Sequence, residues 1–259
     1  MTHFDPDTQY YPYALPAMDR AKEAGGTLEL LTLVGSRAYG TDNAESDWDW
    51  KGVYVASLPS VLSMGKAPGN ITVADADTTL YELSPFCKLA AAANPTVLEM
   101  LWGEGFWNPI GEQLIANRRL FMSKRIEKTY GGYAMEQLRK VKANSGGSRG
   151  HNHYKRFKFR LHTLRLLDAG IHALKTGEVQ VRHPDPERLL ERATSFGGSD
   201  NALEQYVKQA FEYMNYLAGR SALPDAPDYD AINRMIYSIR TARPLQRDRT
   251  DPQSVGMFT

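Results

Sequence analysis

The sequence predicts an α+β fold, with a small mixed sheet flanked by helices followed by a mainly helical domain. Three observations predict it. The apolar and alternating runs short enough for strands all end before residue 84. From Glu112 onward apolar residues recur at helical spacing almost to the end of the chain. Between these regimes lies the glycine-containing stretch 103–111, which divides the chain into residues 1–108 and 109–259.

The elements follow in order. Residues 1–14 read as irregular, and a short helix is expected over 17–24, stopped by Gly25 and Gly26. LELLTLV (28–34) is apolar at nearly every position and too short for a helix, so it reads as a buried strand. Gly35 and Ser36 break it, and RAYG begins a turn or short helix. WDWKGVYVA (48–56) is a second strand, whose period of two puts Asp47, Asp49 and Lys51 on one face and Trp48, Trp50 and Gly52 on the other. A Gly/Pro-rich loop spans 63–70, and TTLYEL (78–83) is a third strand. Pro85 suits the first turn of a helix through FCKLAAAA, and Asn94-Pro95 separates that helix from another at TVLEML. Beyond 112, a Gly/Ser-rich loop at 144–150 precedes a long helix over 153–175, ended by Gly177. Further helices fit 186–193, 202–217 and 229–240, and the tail from Pro244 reads as loose.

Composition excludes several classes. Hydrophobic content of 42% and charged content of 24% are those of an ordinary globular chain. No run approaches the roughly 18 apolar residues of a membrane span, so no membrane partner is expected. The first residues have neither the basic start nor the apolar core of a secretory signal. The single cysteine, Cys87, permits no internal disulfide, and a cytoplasmic location is expected. Cys87 falls on an apolar helix face and reads as core. The pair His151 and His153 has no cysteine or carboxylate at zinc-ligand spacing. Net charge is +1, but the segment from Asp42 to Asp49 is acidic and residues 118–165 are rich in Lys and Arg. An acidic centre beside a basic lobe suits metal and phosphate chemistry.

The segment LTLVGSRAYGTDNAESDWDWKGVYV carries the chemistry. Gly35 allows a tight turn after the first strand, and Ser36 follows where a helix would begin. Unpaired N–H groups at such a start suit phosphate oxygens. Two residues apart on a strand, Asp47 and Asp49 point the same way, and such close carboxylates are tolerable with a cation between them. Mg²⁺ is the natural ion, since it takes carboxylate and phosphate oxygens together, with Mn²⁺ able to substitute. Two such ions can serve an in-line phosphoryl displacement. Lys51, on the same face, either binds a phosphate or neutralises the acids.

The joint pattern resembles the DNA polymerase β-type nucleotidyltransferase superfamily, whose motif is Gly-Ser, a spacer, then Asp-x-Asp on the next strand. Gly35, Ser36, Asp47 and Asp49 match it. The resemblance implies that Ser36 and its neighbouring amides, with Gly35 and Arg37 in the same turn, bind NTP phosphates, and that Asp47 and Asp49 hold the metals. It also implies a third carboxylate that binds metal or activates the acceptor hydroxyl. Asp75, Asp77 and Glu82 are the candidates. Glu82 is preferred for its place in TTLYEL just before the Pro85 helix, although the third acid of the family is often aspartate, which keeps Asp77 as the substitute.

DTTLYELSPFCKLAAAANPTVLEMLW looks like a segment of a bacterial and phage subgroup of these enzymes, one class of which is associated with RNA repair. KFRLHTLRLL matches a Lys-x-x-x-His-x-x-Arg-Leu-Leu helix of the same subgroup. Lys158, His162 and Arg165 share one face of that helix and are expected to hold phosphates, against the alternative of a helix that packs through its leucines. Glu99 and Trp102 read as helix packing. The similarity spans residues 28–190. It implies transfer of a nucleoside monophosphate from an NTP to a hydroxyl, with release of pyrophosphate. An RNA 3′ end is the favoured acceptor, and a protein hydroxyl or a small molecule such as an aminoglycoside are the others. The rival reading is a nucleotide-binding module without transfer.

Overall fold

The computed structural model describes residues 10–64, 67–73, 78–144 and 151–242. The tail from Pro244, most of the loop at 144–150, and both Asp75 and Asp77 lie outside the described residues. The fold is α+β, as the sequence predicts: a five-stranded mixed sheet with flanking helices, then a helical region.

Strands β1 (Gly26–Val34), β2 (Asp49–Ala56), β3 (Asn70–Val73), β4 (Thr78–Glu82) and β5 (Gly105–Trp107) lie in the order β3-β4-β2-β1-β5. β1 is antiparallel to β2 and β5, β3 is antiparallel to β4, and β2 runs parallel to β4. Both faces are covered, which is why β1 is apolar almost throughout. On one face α1 (Tyr11–Glu23) lays the fully buried Ala14, Ala17 and Ala21 against Leu28, Leu31, Trp50, Tyr54 and Leu80. On the other, Leu30, Val34, Val53 and Val55 meet α4 (Leu83–Ala91) and α5 (Pro95–Glu99), and the apolar cluster continues into the helical region.

Between the strands lie α2 (Gly35–Tyr39) and α3 (Leu58–Leu62). α6 (Pro109–Ala116) follows β5. Then α7 (Ile126–Ala143), α8 (His151–Thr176) and α10 (Asp200–Ala218) pack on one another, with α9 (Pro186–Ser195) against α8. At 26 residues α8 is the spine of this region and runs about 39 Å. Side-chain caps start several helices: Asn94 accepts from Val97 N (3.2 Å), Asp185 from Arg188 N (3.0 Å), and Ser199 from Ala202 N (3.2 Å). α11 (Tyr229–Thr241) returns to the sheet, where Arg240 donates to Ala56 O (3.3 Å). No helix is long and apolar enough to cross a membrane among the described residues.

Three features depart from the sequence reading. α1 begins at Tyr11 rather than near 17, with Pro12 in its first turn and Pro16 inside it. β3 and β5, of four and three residues, were not expected. The second strand begins at Asp49, so Asp47 lies in the irregular segment leading into it.

Candidate functional site

The site starts at the end of β1. Val34 pairs with Asp49, so the turn that leaves β1 lies beside the first residue of β2. Gly35 takes a φ of 77°, a left-handed conformation that glycine adopts without cost. A Cβ on Gly35 would run into Oδ2 of Asp49, so the close approach also requires glycine. α2 then runs only to Tyr39 and ends at Gly40, again at a φ of 77°.

The loop from Thr41 to Trp48 is held by Arg37. Its Nε and Nη2 donate to the Ser46 carbonyl (3.0 and 2.6 Å), its Nη1 reaches Asp42 (3.5 Å), and its guanidinium lies 4.4 Å over the Trp48 ring. Ser46 Oγ accepts from Asn43 N (2.9 Å), closing the turn. Arg37 therefore holds the residues on either side of Asp47, through the Ser46 carbonyl and the Trp48 ring.

Across from these carboxylates runs one stripe of α8. A cleft of about 490 Å³ is lined on the sheet side by Ser36, Tyr39, the loop from Thr41 to Asp47, and Asp49. On the helical side it is lined by Tyr154, Phe157, Lys158, Leu161, His162 and Arg165 of α8 and by Leu190 of α9. The stripe positions recur at steps of three and four, the spacing of a single helix face. Ser36, Asp47, Asp49, Lys158, His162 and Arg165 thus come together from two ends of the sequence.

The deep end of the cleft is a buried network. Arg165 Nη1 donates to Glu99 Oε1 (2.5 Å), both side chains being almost fully buried. Its guanidinium lies 3.7 Å over the ring of Tyr39, whose hydroxyl donates to the other oxygen of Glu99 (2.9 Å). The Tyr39 carbonyl accepts from His183 N (3.1 Å). Burial, with Glu99 beside it, holds the Tyr39 hydroxyl well above its usual range, so it remains a donor. Burial opposes the Arg165 charge, but Glu99 and Tyr39 outweigh it and raise the guanidinium further. His162 behaves oppositely. Burial first, then Arg165 and Lys140, lower it to about 3, so it is a neutral imidazole at physiological pH.

The charge balance of the cleft follows. Asp42, Glu45, Asp47 and Asp49 face Lys158 and Arg165, and the Arg165 charge is taken by Glu99. A triphosphate would meet an acidic wall there unless cations accompanied it. Among the described residues no three His, Cys, Asp or Glu side chains gather into a metal cage. The donors are hard carboxylate oxygens, and Mg²⁺ typically binds through one or two of these together with substrate phosphates.

Several expected site residues stand elsewhere. Glu82 is not beside the aspartates. β4 pairs with β2 so that Trp50 meets Thr78 and Tyr54 meets Glu82. Glu82 therefore lies five residues along from the level of Asp49, about 16 Å. There its Oε1 pairs with Arg240 (2.6 Å) and its Oε2 caps α4 by accepting from Ser84 N (2.9 Å). Arg37 holds the loop, and Lys51 sits half-buried between Thr32 and Thr79; neither lines the cleft. Gly35 shapes the turn behind Asp49. Cys87 is core. Sequence reasoning missed Tyr39 and the aromatic pair Tyr154 and Phe157, and it assigned Glu99 to packing. The aromatic pair was detectable, because the steps joining Lys158 to His162 and Arg165 extend back to it.

A Gly-Ser turn thus leads into paired aspartates, and the helical region forms the other wall of the cleft. The chain belongs to the RNA repair pathway DNA polymerase beta family, whose family model matches residues 15–238. It is also similar to a solved nucleotidyltransferase-like protein from Exiguobacterium sibiricum, with 13% identity over 92% of this chain and 79% of that one and a TM-score of 0.28. Family membership rests on the sequence match and not on that likeness. No curated protein matches the chain.

Proposed function

We propose that the protein transfers a nucleoside monophosphate from an Mg²⁺-bound NTP to a hydroxyl acceptor, with the 3′ end of an RNA as the favoured acceptor. The observation that carries this reading is the acidic cleft itself, in which Asp47 and Asp49 oppose the Lys158–His162 stripe and little free positive charge is available for a polyphosphate. Family membership supports the same reaction class.

In this reading the acceptor oxygen attacks the α-phosphorus, the bond to the β-phosphate bridging oxygen breaks, pyrophosphate leaves, and the acceptor proton passes to a carboxylate or water. Asp47 and Asp49 would hold two Mg²⁺, with Mn²⁺ as a substitute. Bound there, the ions neutralise phosphate charge and stabilise the attacking and leaving oxygens. Ser36 offers a hydroxyl to the terminal phosphates, Lys158 a mobile charge and His162 a neutral hydrogen-bonding group. Arg37 acts indirectly by holding the loop that carries Asp47. The third carboxylate is then Asp77 or Asp75, because Glu82 is committed to Arg240. Thr78, which follows Asp77, pairs with Trp50, the neighbour of Asp49.

The acceptor is tested with Mg²⁺, each α-³²P-labelled NTP, and RNA ending in either a 3′-hydroxyl or a 3′-deoxy nucleotide. Label entering only the hydroxyl-ended RNA, with pyrophosphate formed in step, is expected. Label entering both RNAs equally, or only protein, contradicts the 3′-end reading.

A further inference from the structure

Resting on the nucleotidyltransferase reading, we infer that Tyr154 and Phe157, at the outer end of the α8 stripe, hold the nucleobase of the NTP. The stripe has a direction. Arg165 stacks on Tyr39, three residues beyond Ser36 in the same short helix, so this is the phosphate end. Eleven residues back, about 16 Å along the helix, stands Tyr154. Between them Tyr154, Lys158 and His162 follow at steps of four, about 6 Å each. A nucleoside triphosphate laid along this line puts an apolar base, a sugar and a charged chain in that order, and the wall changes character in the same order.

At the outer end the wall is apolar. Phe157, Leu161 and Leu190 line the same cleft as Tyr154, which is 51% exposed. Among the described residues its one ring-face contact is Lys158 Nζ, 4.8 Å from the centroid. An exposed aromatic ring inside a cleft offers a π-face on which a base stacks. Lys158, between ring and imidazole, is placed to meet the phosphate nearest the sugar.

The test measures equilibrium binding of ATP and of inorganic tripolyphosphate, both with Mg²⁺, to the full chain and to Tyr154→Ala and Tyr154→Phe. Because Tyr154 is half exposed, its replacement spares the core, and the melting temperature checks this. In Tyr154→Ala, ATP affinity is expected to fall about 5- to 150-fold, the loss typical of one base–aromatic stack. Tripolyphosphate affinity stays at the wild-type value, and Tyr154→Phe restores ATP binding. Unchanged ATP affinity in Tyr154→Ala overturns the inference, as does a parallel fall for tripolyphosphate. If the wild-type protein binds neither ligand, the failure lies with the nucleotidyltransferase reading itself.

Discussion

The carboxylate of Asp49 occupies the space that a Cβ at Gly35 would need, so turn and acid are built as one unit. Gly35→Ala is therefore expected to cost about 1 kcal/mol through its left-handed backbone and to displace Asp49 as well. Transfer should fall on the order of 100-fold, since a shift of about 1 Å in a reacting group has that effect. Gly177→Ala is the control. It carries the same backbone strain at a φ of 75°, but its nearest neighbour would be Leu223 at 3.7 Å. It should lower the melting temperature comparably and leave transfer intact.

Glu82 gives a prediction that separates structure from chemistry. Breaking a buried pair of the Glu82–Arg240 kind costs roughly 3–5 kcal/mol, and Glu82→Gln should approach that loss in a denaturant titration. The protein that remains folded should transfer nucleotide normally. Asp77→Asn should abolish transfer without a comparable loss of stability, with Asp75→Asn as its comparison. Loss of transfer in a stable Glu82→Gln protein would return Glu82 to the site.

Arg165 and Glu99 join the helical region to the short helix after β1 through Tyr39. Removing one partner leaves a buried charge, so Arg165→Met is expected to destabilise the fold by roughly 3–5 kcal/mol. Arg165→Met combined with Glu99→Gln should recover part of that loss, and a double-mutant cycle measures the coupling. Tyr39→Phe keeps the ring under Arg165 and forfeits one hydrogen bond, for about 1–3 kcal/mol. Additive losses in the cycle would show that the pair is not coupled.

The lowered pKa of His162 fixes a pH dependence. In the unfolded chain this residue binds a proton below about 6.5, whereas in the fold it resists protonation until about 3. The unfolded state thus binds more protons across that window, and stability must fall as pH falls through it, by up to about 1.4 kcal/mol per pH unit. His162→Gln should flatten that part of the stability–pH curve. A curve of the same slope in the variant would mean that other groups set it.

What was legible in the sequence follows from distance along the chain. The Gly-Ser turn and Asp47 and Asp49 lie within fifteen residues, so a short stretch of chain brings them to one cleft, although Asp47 precedes the strand whose periodicity was expected to orient it. Helical periodicity likewise gathers Lys158, His162 and Arg165. The distance of Glu82 from the aspartates could not be read, because it depends on how β4 registers against β2, a pairing between segments that local pattern does not encode. Arg37 looked like a phosphate ligand by its neighbourhood, and only the fold of the following loop turns it toward Ser46. β5 is three residues long, too short for any period to register. α1 was hidden by prolines whose positions a helix tolerates only in context.

The most direct test of the central claim is label transfer from α-³²P-NTP to hydroxyl-ended RNA in Mg²⁺, comparing the wild-type protein with the folded Asp47→Asn/Asp49→Asn double variant. Transfer by the wild type that disappears in the double variant and on removing Mg²⁺ is the expected result. Transfer that survives the loss of both carboxylates would contradict the account.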